Sequence, residues 1–250
     1  MSAMNEYHDN AGRDAGAPTG KTPSLTPSFP LASRESGHVV TNVVSPAPHL
    51  GWYSRGYLPH WDHPGMIQSL NFRLADSLPH AILEKWQNEL ALTSQPESQR
   101  ATEMRRRVEE FLDVGHGECW LGQPGLAQLV EGALFHFDPE RYRLLAWCIM
   151  PNHVHALIET KEGFPLAGVL HSWKSYTSSQ ANKRLGRRGD FWQREYLDRY
   201  VRNAEHYQAV IAYIEENPVK AGLAKVKTEW PWSSARFRAA QGAPASLPAS

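Results

Sequence analysis

Apolar residues recur along the chain with two different periods, and these periods predict where strands and helices lie. A period of two, or a short continuous apolar run, predicts a strand, whereas apolar residues three and four apart predict a helix. The predicted strands cover residues 67–74, 141–150, 153–160 and 191–201. The predicted helices cover residues 79–92, 97–113, 124–137, 165–185 and 204–217.

Prolines mark several of the predicted boundaries. Pro79 begins the first predicted helix, and a proline is well tolerated at that position. Pro151 and Asn152 form a turn pair between two adjacent strands, which predicts a hairpin. Pro218 is predicted to end the last long helix, because a proline ring disfavours further helical backbone.

Helices that separate the strands, together with a hairpin join, predict an α+β fold in which one antiparallel sheet is sandwiched by helices. Residues 1–50 are rich in Pro, Ser, Thr, Gly and Ala without apolar periodicity, and they are predicted to be a disordered N-terminal arm. Residues 51–238 form the predicted folded domain, and residues 239–250 form a short flexible tail.

The composition of the chain says more about its cellular compartment than about its function. The 250 residues carry 26 basic and 26 acidic side chains, so the formal net charge is zero and does not by itself indicate nucleic-acid binding. The two cysteines, Cys119 and Cys148, form no paired motif, which suits a reducing compartment. Without an apolar run of roughly 18–20 residues or a signal pattern, the predicted location is cytoplasmic, with no membrane partner.

Two histidines one residue apart interrupt the apolar strand "IMPNHVHALIE". Because side chains alternate along a strand, His153 and His155 point to the same face and Val154 points to the other. Two imidazoles about 7 Å apart can bind one metal ion. The alternative is a pair of unrelated polar positions on a half-exposed strand.

The last helix offers a possible third ligand and a reactive hydroxyl. Tyr213 and Asn217 are four residues apart, so they share one helical face. The amide oxygen of Asn217 could complete a three-ligand metal site, and Tyr213 would stand one turn away as a nucleophile. Alternatively, Tyr213 is a core residue and Asn217 simply occupies a helix C-terminus.

The combination of motifs resembles one family. The segments "MPNHVHALIE", "FWQREYLDRYVRN" and "YIEENPVKAGL", followed by "WPWSS", resemble the REP-associated tyrosine transposases of the HUH single-tyrosine superfamily. The resemblance spans about residues 52–237 and implies a ferredoxin-like or RRM-like core. The helix over 97–113 and the N-terminal arm are less typical of compact members.

The resemblance implies a specific reaction, together with its metal ligands, nucleophile and substrate. His153, His155 and Asn217 would hold a divalent ion, Mg²⁺ or Mn²⁺, and Tyr213 would attack a phosphodiester of single-stranded or hairpin DNA. The enzyme would cut and rejoin one strand through a 5′-phosphotyrosine near repetitive extragenic palindromes, without a nucleotide cofactor. It would act as a monomer or a homodimer.

A basic stretch between residues 171 and 210 is the predicted DNA contact. The loop "GRRGD" presents two guanidiniums between glycines, which favours contact with phosphates, although solvated loop charges are the alternative. Two interleaved tryptophans, Trp173 and Trp192, either stack on bases or pack in the core. The candidate basic residues are Lys174, Lys183, Arg187, Arg188 and Arg194.

Two other functions fit the same residues. The protein could be a non-catalytic DNA-hairpin binder of the same descent. It could also be a metal-dependent hydrolase that uses water, with Tyr213 in a structural role. A covalent protein–DNA adduct would separate these possibilities, because only the transposase chemistry produces one.

Overall fold

The computed structural model describes residues 47–49, 51–54 and 59–241. Its strands are β1 (Gly51–Ser54), β2 (Pro59–Asp62), β3 (Ile67–Arg73), β4 (Tyr142–Ile149), β5 (His153–Thr160) and β6 (Leu197–Tyr200). Its helices are α1 (His80–Ala91), α2 (Glu97–Asp113), α3 (Pro124–His136), α4 (Leu166–Arg184), α5 (Ala204–Lys220) and α6 (Ala235–Gln241). Most of the predicted elements are therefore present, close to their predicted bounds.

A four-stranded antiparallel sheet in the order β4-β5-β3-β6 forms the centre of the fold. The turn at Pro151 and Asn152 joins β4 to β5, as predicted, and β3 lies along the other side of β5. The α+β prediction is confirmed. A separate two-stranded hairpin, β1 with β2, was not predicted.

The two faces of the sheet bury different clusters because side chains alternate along each strand. Val154, Ala156 and Ile158 of β5 pack with residues of α3 and α4 in the largest cluster. Leu157 packs on the opposite face with Ile211 and other residues of α5. Fully burying a side chain of this size stabilises the fold by about 1.5–3 kcal/mol. Helices therefore cover both faces, as expected for a sandwiched sheet.

The hairpin of helices α1 and α2 covers the β6 side of the face that also carries α5. Its apolar residues, including Val108 and Leu112, cluster with Leu197 of β6. Leu197 pairs in register with Asn71 of β3, so their side chains share a face. The C-terminus of α2 is consequently held beside the start of β5.

The predicted strand over 191–201 was wrong for its first half. Regular pairing is confined to β6, and before it only an isolated bridge joins Trp192 to Leu74. Phe191 and Trp192 are both buried in the same cluster, which alternating strand side chains cannot achieve. The indole of Trp192 donates to Thr177 Oγ1 (2.8 Å), and Trp173 is also buried. Both tryptophans are core residues.

The prediction that Pro218 ends the last helix was also wrong. Helix α5 continues through Pro218 to Lys220. The fixed φ of proline is compatible with a helix. Near a helix end, the main loss is the hydrogen bond that the missing N–H of proline would have donated to a carbonyl of the preceding turn. At the other end of α5, the side chain of Asn203 accepts a hydrogen bond from the backbone N–H of His206 (2.8 Å).

The predicted arm and tail lie mostly outside the described residues. Within the short stretch 47–49, the N–H of Ala47 donates to the carbonyl of Gly163 (2.8 Å), and His49 Nδ1 donates to Asp62 Oδ1 (2.8 Å). This stretch therefore packs against the domain. Among the described residues, no helix is long and apolar enough to span a bilayer.

Candidate metal and nucleophile site

The two histidines of β5 converge at one point beneath α2 and α5. Their Nε2 atoms are 2.9 Å apart, and both side chains are almost completely buried. Two nitrogen ligands in adjacent positions of a metal with bonds of about 2.1 Å would also be about 3 Å apart. His153 and His155 are therefore spaced to share one cation.

The neighbouring asparagine sets the orientation of the first imidazole. Asn152 Nδ2 donates to the carbonyls of Leu112 (3.1 Å) and His116 (3.0 Å), which leaves its Oδ1 as an acceptor. His153 Nδ1 donates to that oxygen (2.7 Å). The Nε2 lone pair of His153 is consequently available, which is the usual arrangement around a metal-binding histidine.

Burial keeps both imidazoles neutral. It lowers the pKa of His153 well below its usual value, and the adjacent His155 adds to the effect. Burial also lowers the pKa of His155 to about 3, with a further contribution from the positive charge of Lys220. A neutral imidazole is the form that binds metal, so the pair needs no deprotonation at neutral pH.

Helix α5 brings the predicted tyrosine and asparagine to the same place. The ring of Tyr213 lies edge-on to that of His155, with centroids 5.6 Å apart. Asn217 is fully buried, and its Nδ2 donates to the carbonyl of Tyr213 (2.8 Å). Its Oδ1 is buried and has no hydrogen-bond partner among the described residues.

Helix α2 contributes two carboxylates that the sequence analysis missed. Asp113 Oδ1 is 3.7 Å from His153 Nε2, and one ligand atom from each of Asp113, His153 and His155 lies within 4.8 Å of the others. Glu109, one helical turn earlier, accepts a hydrogen bond from the hydroxyl of Tyr213 (3.0 Å). In "EEFLD", the four-residue spacing of Glu109 and Asp113 places both on one helical face, but only the docking of α2 shows what that face contacts.

Burial raises the pKa values of Asp113, Glu109 and Tyr213. Burial raises the pKa of Asp113 to about 7, and the negative charge of Glu109 adds to the effect. Burial likewise raises the pKa of Glu109, which the hydrogen bond from Tyr213 partly offsets. The pKa of Tyr213 is raised well above its usual value by burial and then by the two carboxylates. The Lys220 ammonium lies 4.4 Å from the centroid of the Tyr213 ring.

The donor set fits a divalent cation. Asp113 Oδ1, like Asn217 Oδ1, is a buried acceptor without a hydrogen-bond partner among the described residues. Such oxygens are costly to bury unless something binds them. Two neutral imidazoles with carboxylate and amide oxygens suit Mn²⁺ well, and they suit Mg²⁺ less well because it prefers oxygen ligands throughout.

Strand β3 adds two donors to the same face. Asn71 pairs in register with His155, and Arg73 pairs with His153, so all four side chains project from one side of the sheet. Asn71 and Arg73 are both at least nine-tenths buried. The amide Nδ2 of Asn71 is buried without a hydrogen-bond partner in the described part of the chain.

The predicted basic loop lies near the same end of the sheet. The N–H of Leu121 donates to the carbonyl of Pro151 (3.0 Å), in the turn before His153. The guanidinium of Arg187 lies 5.9 Å from the centroid of the adjacent Trp120 ring. The glycines that flank the loop both have positive φ, which permits its tight course.

The other predicted DNA contacts differ in exposure. Arg188, Lys183 and Arg194 are exposed, whereas Arg187 is half-buried and donates to the carbonyl of Asp190 (3.1 Å). The ammonium of Lys174 donates to the carbonyls of Gln193 (3.0 Å) and Arg194 (3.2 Å). A phosphate contact by Lys174 would have to compete with these two bonds.

Comparison with known proteins points to one family. Residues 135–217 match the family model described as "Transposase IS200 like". A REP-associated tyrosine transposase from Escherichia coli is 27% identical over 120 residues, which cover 46% of this chain and 68% of that protein. A relative from Haemophilus influenzae with the same family designation is 26% identical over 103 residues, which cover 37% of this chain and 58% of the relative, less than two thirds of its length.

A solved structure is similar over a larger part of the chain. It is described as a REP-associated tyrosine transposase bound to a REP hairpin, and it covers 80% of this chain and 93% of its own. The sequences are 18% identical, and the TM-score is 0.46.

Over residues 135–217, the chain is similar to the IS200-like transposases. Within that class it is similar to the REP-associated tyrosine transposases, as its motifs predicted. The matched segment contains His153, His155, Tyr213 and Asn217. Helix α2, with Glu109 and Asp113, lies outside it.

Proposed function

We propose that the protein cleaves and rejoins single-stranded DNA through a covalent bond between Tyr213 and a 5′-phosphate, with the help of a divalent cation. The observation that carries the proposal is the convergence of a tyrosine hydroxyl and a metal-type donor set at one site. The centroids of Tyr213 and His155 are 5.6 Å apart, and His155 faces His153. Nucleophile and cation would therefore act on the same phosphate.

His153, His155, Asn217 and Asp113 are the residues that would hold the cation. Asp113 extends the set predicted from sequence, because its carboxylate stands on the histidine side of α2. When bound, the cation would withdraw charge from an oxygen of the scissile phosphate. The remaining steps involve only side chains of this protein and the DNA.

In the forward reaction, the oxygen of Tyr213 attacks phosphorus, and the bond from phosphorus to the 3′-oxygen breaks. The tyrosine hydroxyl loses one proton and the leaving 3′-oxygen takes up one, so the products are a 5′-phosphotyrosine and a free 3′-hydroxyl. Rejoining reverses these steps, since the covalent bond keeps a phosphodiester in place. The buried donors Asn71 and Arg73, on the same face as the histidines, would contact the phosphate oxygens.

The designations of the relatives suggest which kind of DNA is the substrate. Their designation associates them with REP elements, and we propose that the present substrate is likewise a strand that folds into a hairpin. The basic loop near the turn before His153 would then contact the backbone through Arg187 and Arg188. Such contacts position the strand and carry no sequence information themselves.

The test is a search for the covalent adduct. Purified protein is incubated with end-labelled single-stranded hairpin DNA and Mn²⁺, then denatured and separated by electrophoresis. The wild type should give a labelled band at the combined mass of protein and DNA. Tyr213→Phe, which removes one oxygen, should give no band while retaining hairpin binding.

A matched tyrosine on another surface supplies the control. Tyr176 lies on α4, which packs on the opposite face of the sheet, and it is 39% exposed. Tyr176→Phe should form the adduct at the rate of the wild type. An adduct that persists in Tyr213→Phe, or a cut strand without any adduct, would contradict the proposed tyrosine chemistry. The second result would favour hydrolysis by water.

A further inference from the structure

The hydrogen bond between Tyr213 and Glu109 joins the proposed nucleophile to a carboxylate outside the matched family segment. The phenolic oxygen donates to Glu109 Oε2 at 3.0 Å, a distance at which a proton can pass directly. Glu109 is half-buried on α2, and Asp113 on the same helical face stands beside His153. The carboxylate is therefore placed at the reacting oxygen.

Glu109 differs from a neighbouring glutamate that has a structural role. Glu103, on the same helix, accepts hydrogen bonds from Arg106 and Arg107, which lower the pKa of its carboxyl to about 2. Such a carboxylate stays ionised and paired with the two arginines, so it is a poor proton acceptor. Glu109 instead accepts from a neutral phenol, and burial raises its pKa.

The groups around Glu109 come from three elements. The positive charges of Arg105 on α2, Arg199 on β6 and Lys220 on α5 all act on its carboxyl. The carboxyl of Asp113, one turn along the same face of α2, is close enough for the negative charge of Glu109 to raise its pKa. The cations favour the ionised form of Glu109, which is the form that can accept a proton.

We propose that Glu109 is the catalytic proton acceptor for Tyr213, an inference that rests on the proposed cleavage reaction. As the tyrosine oxygen bonds to phosphorus, its proton moves to Glu109 Oε2, and the bond to the 3′-oxygen breaks. The 3′-oxygen leaves with the electron pair and takes a proton from water. In rejoining, the 3′-hydroxyl loses its proton to water and attacks, and protonated Glu109 returns its proton to the departing tyrosine oxygen.

The inference makes the hairpin of α1 and α2 part of the active site. The sequence pattern showed this segment only as an additional helix, whereas the structure docks its last two turns against β5 and α5. Removing the hairpin would thus remove a reacting group as well as apolar packing around Leu112.

The experiment compares Glu109→Gln with a matched variant of the next residue. Glu109→Gln keeps the shape and an acceptor oxygen but cannot take up a proton at neutral pH. Glu110→Gln changes the same residue type on the exposed side of α2, where Glu110 pairs with Arg106. For each protein, the single-turnover rate of adduct formation is measured with hairpin DNA and Mg²⁺ from pH 6.5 to pH 8.5. Hairpin affinity and Mn²⁺ affinity are measured separately.

Glu109→Gln should slow adduct formation by about 100-fold or more near neutral pH, since general-base catalysis typically contributes 10²–10⁴-fold. Its rate should then rise about tenfold per pH unit, because hydroxide must replace the lost base. Glu110→Gln should match the wild type. Both variants should bind hairpin DNA and Mn²⁺ as the wild type does, a result that separates proton transfer from a general disturbance of the site.

Two results would overturn the assignment while leaving the proposed function intact. One is a Glu109→Gln rate within about threefold of the wild type in a protein whose adduct depends on Tyr213, which would show that the hydrogen bond only positions the phenol. The other is a slower reaction in Glu109→Asp, which keeps a carboxylate, than in Glu109→Gln. Failure of the wild type itself to form an adduct would instead overturn the proposed function and this assignment together.

Discussion

Replacing Asp113 by asparagine should stabilise the metal-free protein and weaken its affinity for metal. Asp113 lies 3.7 Å from His153, near the carboxylate of Glu109, and its Oδ1 is buried without a hydrogen-bond partner in the described residues. Asparagine has nearly the same shape and carries no charge. The substitution therefore removes an unfavourable buried charge at the expense of a cation ligand.

The magnitude follows from the pKa of Asp113. Burial raises this pKa from 3.8 to about 7, an interval worth at most about 4 kcal/mol of differential stability. Because 27% of the side chain is exposed, solvent reduces the cost, and we expect a gain of about 1–2 kcal/mol in Asp113→Asn. For a domain of this size, such a gain corresponds to roughly 3–6 °C in melting temperature.

The pH dependence gives the sign of the effect. Between pH 3.8 and about 7, the folded protein binds a proton on Asp113 that the unfolded chain releases, so the stability of the wild type falls as pH rises through this interval. Above about pH 7 the cost is constant. The advantage of Asp113→Asn should therefore be smaller at pH 5 than at pH 8.

Thermal unfolding with EDTA and with Mn²⁺ tests both halves of the prediction. At a Mn²⁺ concentration about 100-fold above its Kd, the wild type should gain close to 3 kcal/mol, and Asp113→Asn should gain clearly less. The order of stability at pH 8 should thus reverse when metal is added. Equal melting temperatures without metal, together with an equal Mn²⁺ effect, would refute the reasoning on both the charge and the ligand.

Three further predictions concern the same site and its DNA. Asn152→Ala should weaken Mn²⁺ binding about 10–100-fold by freeing the imidazole of His153, as calorimetry can measure. Asn217→Ala should weaken Mn²⁺ binding less than His153→Ala does, because a neutral amide is the poorer ligand; the reverse order would contradict the assignment. The double variant Arg187→Ala/Arg188→Ala should lower the slope of log affinity against log salt by about 1–2 units, and an unchanged slope would exclude backbone contact by this loop.

The pattern of apolar residues predicted most of the sheet and the helices that cover it. Strands β3, β4 and β5 and all five long helices lie close to their predicted bounds, because long periodic segments bury one face almost regardless of their partners. The alternation within "HVHAL" also predicted that His153 and His155 share a face, and their Nε2 atoms are 2.9 Å apart.

Local pattern failed where the tertiary structure imposes a different geometry. Phe191 and Trp192 have the composition of a strand, but both side chains enter the same core cluster, so the backbone must bend before β6. Pro218 has the local signal of a helix end, yet it lies near the C-terminus of α5, where the lost hydrogen bond costs little. In both cases packing between distant segments overrides a local preference.

The sequence by itself determined which residues could carry the chemistry within the matched segment. Strand alternation fixes the face of His153 and His155, and helical spacing fixes that of Tyr213 and Asn217, because each depends on backbone geometry alone. Only the tertiary structure decided that α2 completes the site. Glu109 lies 104 residues from Tyr213 along the chain, and no local period encodes the docking that brings their oxygens to 3.0 Å.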